Sequence, residues 1–458
     1  MRVAPQSLHG GWTSQWIFIA AATGATIGLG TLWKFAYLAG VNGGAGFVLL
    51  YLLCMALVAT PVLVAEVLLG SRGRGDPVHA IEMVVLESAL SRNWRWVGWL
   101  GGIAALVVLS YLSVVGGWLM TYCNWIYSGD LSAASARQIG EQFGLLLGDG
   151  WHQVGLQALF LLFAWMFVAL GVSRGLGALF VVLAPILLIL LLVMVLTALR
   201  MGDMPAAIEF MFAPNFEQWT TDAALAALGQ AFFSLGIGMG AMISFGAYMP
   251  TQRSLLRTLG AVVLLHVVVA LLAGLAIFPL VFAHRVQPNY GPGLIFITLP
   301  YIFGNLPYGA VIGTAFFVMV LLAAFGSAVA LLEPATAWMV QRTRWSRPRA
   351  AALFAVLGGL LGLLSIGSFS LWPTWRPGGK SIFAWIDWIS ADVMLPLCAF
   401  ALAILVGWRM RVESIRDEML TDRPRLFWLW RAALRYIAAP AIALILFFGV
   451  YRVASQLF

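Results

Sequence analysis

The chain has 458 residues, 62% of them hydrophobic and only 10% charged, with a mean hydropathy of +0.95. Soluble domains are about 25% charged and about half apolar, so a water-soluble fold could not hide this much apolar surface, whereas a bilayer takes the place of a core. The net charge of +8 sits in short loops between apolar runs, which fits membrane orientation and argues against a nucleic-acid partner.

Eleven long apolar segments follow in order, at about 14–38, 45–70, 98–125, 156–173, 177–199, 224–248, 255–283, 303–340, 350–368, 383–408 and 432–454. Each can cross about 30 Å of hydrocarbon at about 1.5 Å per residue, and the longer ones must tilt, bend or protrude. The expected fold is an all-α polytopic membrane protein with about 11 transmembrane helices, a single domain over 1–455. A cytoplasmic N-terminus gathers Arg72, Arg74, Arg92, Arg95, Arg253, Arg257, Arg342, Arg344, Arg347 and Arg349 on the inner side. Arg409, Arg411, Arg416, Arg423 and Arg425 join them there. The opposite side receives Arg137, Arg200, Arg285, Arg376 and Lys380 with several acids, among them Asp130, Glu141, Asp203, Glu209 and Glu217. This bias predicts N-in, and the odd count then puts the C-terminus outside.

Two loops are more than connectors. The polar stretch within 126–155 has room for a short surface helix. Residues 284–304 carry Pro288, Asn289, Gly291, Pro292 and Gly293 before an apolar run to Pro300. They read either as a lid dipping back toward the membrane or as an irregular external loop. Cys54, Cys123 and Cys398 lie in or at the end of apolar runs with no CxxC or metal spacing, so neither a disulfide framework nor a zinc site is expected. No coherent set of buried carboxylates, metal ligands or nucleophile with base suggests an enzyme or an organic cofactor.

The first and sixth segments stand out. One reads Thr23-Gly24-Ala25-Thr26-Ile27-Gly28-Leu29-Gly30-Thr31, the other Ser234-Leu235-Gly236-Ile237-Gly238-Met239-Gly240. Each glycine weakens a helix by about 1 kcal/mol relative to alanine. Close packing through small residues is one use of such clusters. Their paired placement, opening two sets of five segments, favours another: unwound backbone facing a solute at mid-membrane. Free N–H groups at a half-helix start suit a carboxylate, and free carbonyls at a half-helix end suit a cation or an ammonium group.

Several motifs then carry a resemblance. They are Gly28-Leu29-Gly30, Trp33-Lys34-Phe35, Asn42-Gly43-Gly44-Ala45-Gly46-Phe47, Glu66 with Gly70, and Gly229-Gln230-Ala231-Phe232-Phe233-Ser234-Leu235. Ile297-Thr298-Leu299-Pro300 and Leu332-Glu333-Pro334 complete the set. From Trp12 onward the chain resembles the neurotransmitter:sodium symporter family, of the bacterial amino-acid transporter type. The resemblance implies an inverted five-plus-five helix repeat with discontinuous first and sixth helices. The first repeat would be 14–199, the second 224–408, and 432–454 an additional transmembrane helix.

It also implies where a solute would lie, among segments one, three, six and eight. The substrate-binding residues would be Gly28, Leu29, Gly30, Val108, Leu112, Phe233, Gly236, Met239, Ser327 and Leu331. Monoamine transporters of the family carry an aspartate at the position of Gly28, so its absence resembles the amino-acid transporters. The family's carboxylate-binding tyrosine falls on Leu112. Tyr111 is one position away, and neighbours on a helix face different ways.

The ion sites are altered in the same comparison. The first sodium site would use the Thr26 carbonyl with Thr31, Ser234 and His266, of which Thr31 and His266 stand where the family has asparagines. A neutral His266 could pack, hydrogen-bond or ligate; protonated, it could replace a cation. The second site would use carbonyls of Gly24, Ile27 and Ala323 with the Ser327 hydroxyl, while Gly326 replaces a threonine. Lys34 and Asp387, with Tyr111 and Phe233 beside them, match an outer gate. On the inner side the family's ion pair falls on His9 and Gln341, leaving Trp12 and Tyr248. The chloride-replacing acid of some relatives falls on Ala270.

The expectation is therefore a symporter in the cytoplasmic membrane for a neutral, apolar amino acid or close analogue, with Na+ as coupling ion. Its partners would be that solute and the lipid bilayer; the sequence says nothing of oligomeric state. Two alternatives stay open: proton coupling through His266, and a transporter-like sensor or structural partner without flux.

Overall fold

A computed structural model of the chain describes residues 10–213, 220–250, 254–286, 293–419 and 424–457, with side chains through Tyr451. Among the described residues the regular structure is helical, without strands. Among those residues nine helices are long and apolar enough to cross a membrane. In chain order they are segment two (Ala45–Gly73), three (Arg92–Ser128), four (Gly150–Ala169), five (Val172–Met201) and seven (Leu255–Ala283), then eight (Gly309–Thr343), nine (Arg347–Ser370), ten (Ile382–Arg409) and eleven (Pro424–Tyr451). Segment one is a pair of helices, Gln15–Thr26 and Gly30–Val41, bent by 57° at the glycine cluster. Segment six is likewise split, into Thr221–Leu235 and Ala241–Ala247. The discontinuities fall on the two segments where the sequence placed them.

Several boundaries differ from the sequence reading. Segment four starts at Gly150, because the Asp149 carboxylate caps it by accepting the His152 N–H at 3.0 Å. Segment eight starts at Gly309, because the apolar residues just before it belong to a separate helix, Leu294–Gly304. Three short helices escape a search for apolar runs: Pro77–Glu87, Met204–Phe212 and Val412–Met419. The stretch 126–155 does hold a helix, Ala136–Gly148, begun by a capping box between Ser135 and Gln138. Leu294–Gly304 is not irregular. Its Phe296 is buried against Trp118, Tyr122 and Phe143, and the Tyr122 hydroxyl donates to the Phe296 carbonyl at 2.5 Å. Pro288, Asn289, Gly291 and Pro292 lie outside the described residues, as do Arg253, Glu217, Arg423 and His9.

Burial sorts the helices into a centre and a rim. The most apolar stretch of segment three is 78% buried and that of segment eight 67%, against 33%, 28% and 28% for segments four, five and eleven. The rim helices are apolar all round because lipid is their outer neighbour. Seven π-helical turns interrupt the described helices, among them Gly30–Lys34 in segment one and Ile389–Met394 in segment ten.

Segment two meets the second half of segment six, Ala241–Ala247, backbone to backbone. A Cβ on Gly70 would fall on the Ile243 carbonyl, and one on Gly246 on the Val67 carbonyl. Small residues permit this approach where hydrophobic driving force between helices is absent. Gly70→Ala is therefore expected to cost about 1–3 kcal/mol of stability through overpacking. The check is the thermal unfolding midpoint of purified protein beside Gly102→Ala, whose added methyl meets open space. Equal midpoints would contradict the close approach.

Candidate functional site

The break in segment one starts where Ile27 leaves helical geometry, at φ −78° and ψ 88°. The Gly28 N–H turns back to the Thr26 carbonyl at 3.0 Å, and the Gly28 carbonyl accepts from Thr31 and Leu32, each at 3.1 Å. Leu29 and Gly30 then lead the outer half, at a helix start where N–H groups lack intrahelical partners. Gln230 of segment six fixes the break from across the gap, its Nε2 donating to the Gly30 carbonyl at 2.5 Å.

Segment six breaks over Gly236–Gly240. Gly236, Gly238 and Gly240 all have positive φ (65°, 85° and 69°), a conformation that glycine adopts without a steric penalty. The buried Glu66 carboxylate of segment two stands in for a missing helical acceptor and receives the Gly238 N–H at 2.7 Å. A Cβ at Gly238 would press on the Leu395 backbone, so segment ten packs directly on the unwound strand of chain.

Between the two breaks lies a cavity of about 180 Å³. All ten residues that the sequence proposed for solute contact line it: Gly28, Leu29, Gly30, Val108, Leu112, Phe233, Gly236, Met239, Ser327 and Leu331. Lys34, Asp387 and Tyr111 line it too, as do Thr26 and Ser234. Tyr111 and Leu112 both reach the wall although they are adjacent on one helix. They belong to one stripe, Val108, Tyr111, Leu112 and Val115, at the i, i+3, i+4, i+7 spacing of a single helix face, and Tyr111 packs edge-on against Phe383 of segment ten, with ring centroids 5.8 Å apart. Sequence reasoning missed Trp33, Tyr37 and Phe383 among the lining residues. Helical spacing could have found them, since Tyr37 follows Lys34 by three positions and Phe383 precedes Asp387 by four.

The proposed ion ligands separate into two groups. Thr31 and His266 lie outside the cavity wall, each 0% exposed. The Thr31 hydroxyl donates to the Thr26 carbonyl at 3.0 Å, and Ser234 Oγ faces the Ala231 carbonyl of its own helix at 3.4 Å. His266 Nε2 is 3.2 Å from the Tyr51 hydroxyl, while its Nδ1 is buried without a partner. Tyr51 is a neighbour that the sequence did not single out. In the second group Ser327 Oγ faces the Ala25 carbonyl at 3.3 Å. The place of the missing threonine is closed by two apolar side chains, Leu183 and Phe180, and by the Gly24 carbonyl. A Cβ on Gly326 would lie 2.9 Å from Leu183 Cδ2 and 3.1 Å from the Gly24 carbonyl. Beside Gly24 itself stands the Phe180 ring.

The gates depart from the sequence reading. Lys34 and Asp387 face the same cavity but form no ion pair within 4.0 Å; Lys34 Nζ lies 4.3 Å from the centre of the Phe233 ring instead. An ammonium group gains from an aromatic face when water is scarce. At the side that the sequence reading takes as inner, Gln341 accepts the Asp76 N–H at 2.9 Å, as a structural partner of the loop. Charge pairing there comes from elsewhere. Glu333, 0% exposed, pairs with Arg347 and accepts the Tyr248 hydroxyl at 2.5 Å. Arg347 Nε also donates to the Val168 carbonyl at 2.8 Å. Trp12 lies against Tyr248 and donates its backbone N–H to the Tyr248 carbonyl at 2.9 Å. One buried carboxylate thus links the neighbouring ends of segments one, four, six, eight and nine.

Comparison with known proteins places this architecture among relatives. The model of the sodium:neurotransmitter symporter family matches residues 9–139 and 146–457. An uncharacterized sodium-dependent transporter of Bacillus subtilis is 33% identical over 95% of this chain and 96% of its own. Another from Haemophilus influenzae is 29% identical over 95% and 97%. The crystal structure of MhsT in complex with L-phenylalanine superimposes with a TM-score of 0.87 at 35% identity, covering 98% of this chain and 100% of that one.

Proposed function

The chain belongs to the sodium:neurotransmitter symporter family, and on that premise we propose that it is a sodium-driven symporter for a neutral, apolar amino acid or close analogue. The observation that carries this reading is the make-up of the cavity. Backbone at two helix breaks meets walls supplied by Val108, Leu112, Phe233, Met239 and Leu331, while the charged lining residues are Lys34 and Asp387. Unwound backbone suits the paired charges of an amino acid, and apolar walls suit its side chain. The volume is below the about 300–1,000 Å³ of sites for drug-sized ligands, which favours one small solute. MhsT, with its bound L-phenylalanine, supports an aromatic or large aliphatic side chain.

In this reading Gly24, Ile27, Ala323 and Ser327 hold the coupling sodium, and ion binding biases the conformational equilibrium on which the solute acts. Residues 14–199 and 224–408 form the two inverted repeats and 432–454 the added helix, in a cell membrane with the N-terminus inside and the C-terminus outside.

Uptake into proteoliposomes tests the proposal, with labelled neutral amino acids under separately imposed sodium and proton gradients. Uptake is expected to follow sodium, and His266→Asn is expected to keep it within about threefold, under 1 kcal/mol in apparent affinity. Proton-driven uptake lost in His266→Asn would move the coupling to His266, whose buried and unpartnered Nδ1 is the feature favouring that alternative. Solute binding without flux under either gradient would leave a sensor.

A further inference from the structure

Away from the cavity, segment eleven carries two arginines one turn apart against the end of segment ten. Arg431 is only 2% exposed. Its Nε donates to the Gly407 carbonyl at 3.2 Å and its Nη2 to the Met410 carbonyl at 3.4 Å, while Nη1 is buried without a partner. Arg435, one turn further on, donates its Nε to the same Gly407 carbonyl. A Cβ on Gly407 would lie 3.2 Å from Arg435 Cγ, so the glycine lets the arginine stem lie along the segment ten backbone.

Capping the last carbonyls of a helix accounts for one guanidinium. It does not account for a second on the same carbonyl, since like charges at this spacing repel. Neither arginine has an ion pair within 4.0 Å among the described residues; Glu413 bears on Arg431 without pairing with it. The surroundings are those of a membrane interface. Trp408 is 41% exposed and Tyr436 70%, their rings are 6.4 Å apart, and the Arg435 guanidinium lies 5.8 Å from the Trp408 ring. Exposed indole and phenol rings beside cations mark the headgroup level, and arginine's planar fork matches phosphate oxygens.

We propose that the junction of segments ten and eleven binds the phosphate headgroup of an anionic bilayer lipid, held by Arg435 with Arg431 behind it and flanked by Trp408 and Tyr436. The test uses the full chain purified in a neutral detergent. Native mass spectrometry would count bound phosphatidylglycerol and phosphatidylcholine of equal chain length. Thermal unfolding would be followed with each lipid and with inorganic phosphate. Phosphatidylglycerol is expected to bind and protect, and Arg435→Gln to weaken that binding by about tenfold, the loss of one charge-assisted contact. Arg376→Gln, which removes an exposed cation before the opposite end of segment ten, is expected to leave it unchanged. Equal binding of phosphatidylcholine, or native affinity in Arg435→Gln, would overturn the site. Protection by inorganic phosphate at the same concentration would overturn the lipid as its occupant. Should Arg435→Gln fail to fold, Arg435→Lys decides: weakened binding upholds the guanidinium contact and native binding overturns it.

Discussion

Gly28→Val is expected to reduce solute uptake by at least about 100-fold, or ~2.7 kcal/mol, while leaving a folded protein. A Cβ at this position would clash with the Ser327 hydroxyl and approach the Ala323 carbonyl at 4.0 Å. Valine adds two further carbons where the break in segment one faces the cavity, and its stiff side chain has little freedom to turn away. Both proposed functions of the break suffer at once: Ser327 is displaced from the ion, and the solute head group loses its place on the backbone. The experiment pairs uptake with sodium-dependent solute binding in detergent. Binding and uptake within about threefold of native would show that the solute does not pass Gly28, and the proposed site would fail.

Glu333→Ala is expected to be the most destabilising single change at the inner side, by about 3–5 kcal/mol, because it strands a buried guanidinium. Arg347 would keep its bond to the Val168 carbonyl but lose its counter-charge, and the Tyr248 hydroxyl would lose its acceptor. A double-mutant cycle separates pairing from packing. Glu333→Ala with Arg347→Ala should cost clearly less than the sum of the single changes, since the second removes the charge that the first left stranded. Simple addition of the two losses in thermal or denaturant unfolding would show that the pair contributes nothing beyond its parts.

The sequence disclosed the fold's outline because its two strongest physical signals are local. Apolar runs of membrane length and glycine triplets at 24–30 and 236–240 are properties of neighbouring residues, and both reappear as helices and breaks. The cavity wall was legible through the resemblance, since the backbone path fixes which positions face inward. Pairing was not legible. Nothing adjacent to Glu333 announces that Arg347, beyond a turn in the chain, folds back on it. Nor does the sequence show that Lys34 rests on Phe233 rather than against Asp387. The family's positions for an inner ion pair fall on His9 and Gln341, whereas the buried charge pair sits on the Leu332-Glu333-Pro334 motif. Pro77–Glu87, Met204–Phe212 and Val412–Met419 stayed hidden because, at 8 to 11 residues, none makes an apolar run of membrane length.

The wide turn at Gly30–Lys34 holds one residue of surplus chain inside a continuous helix. Such a surplus need not stay where it is. Handing it along the helix by a turn rewinds the residues in between by about 100°, the angle per residue, while the rest of the helix keeps its bonds. Lys34 is the last residue of that turn. The outer half of segment one thus contains its own screw thread. Its side chains can be dialled around the axis without moving the rod that bears them, and the turn at Ile389–Met394 offers the same adjustment in segment ten, just beyond Asp387.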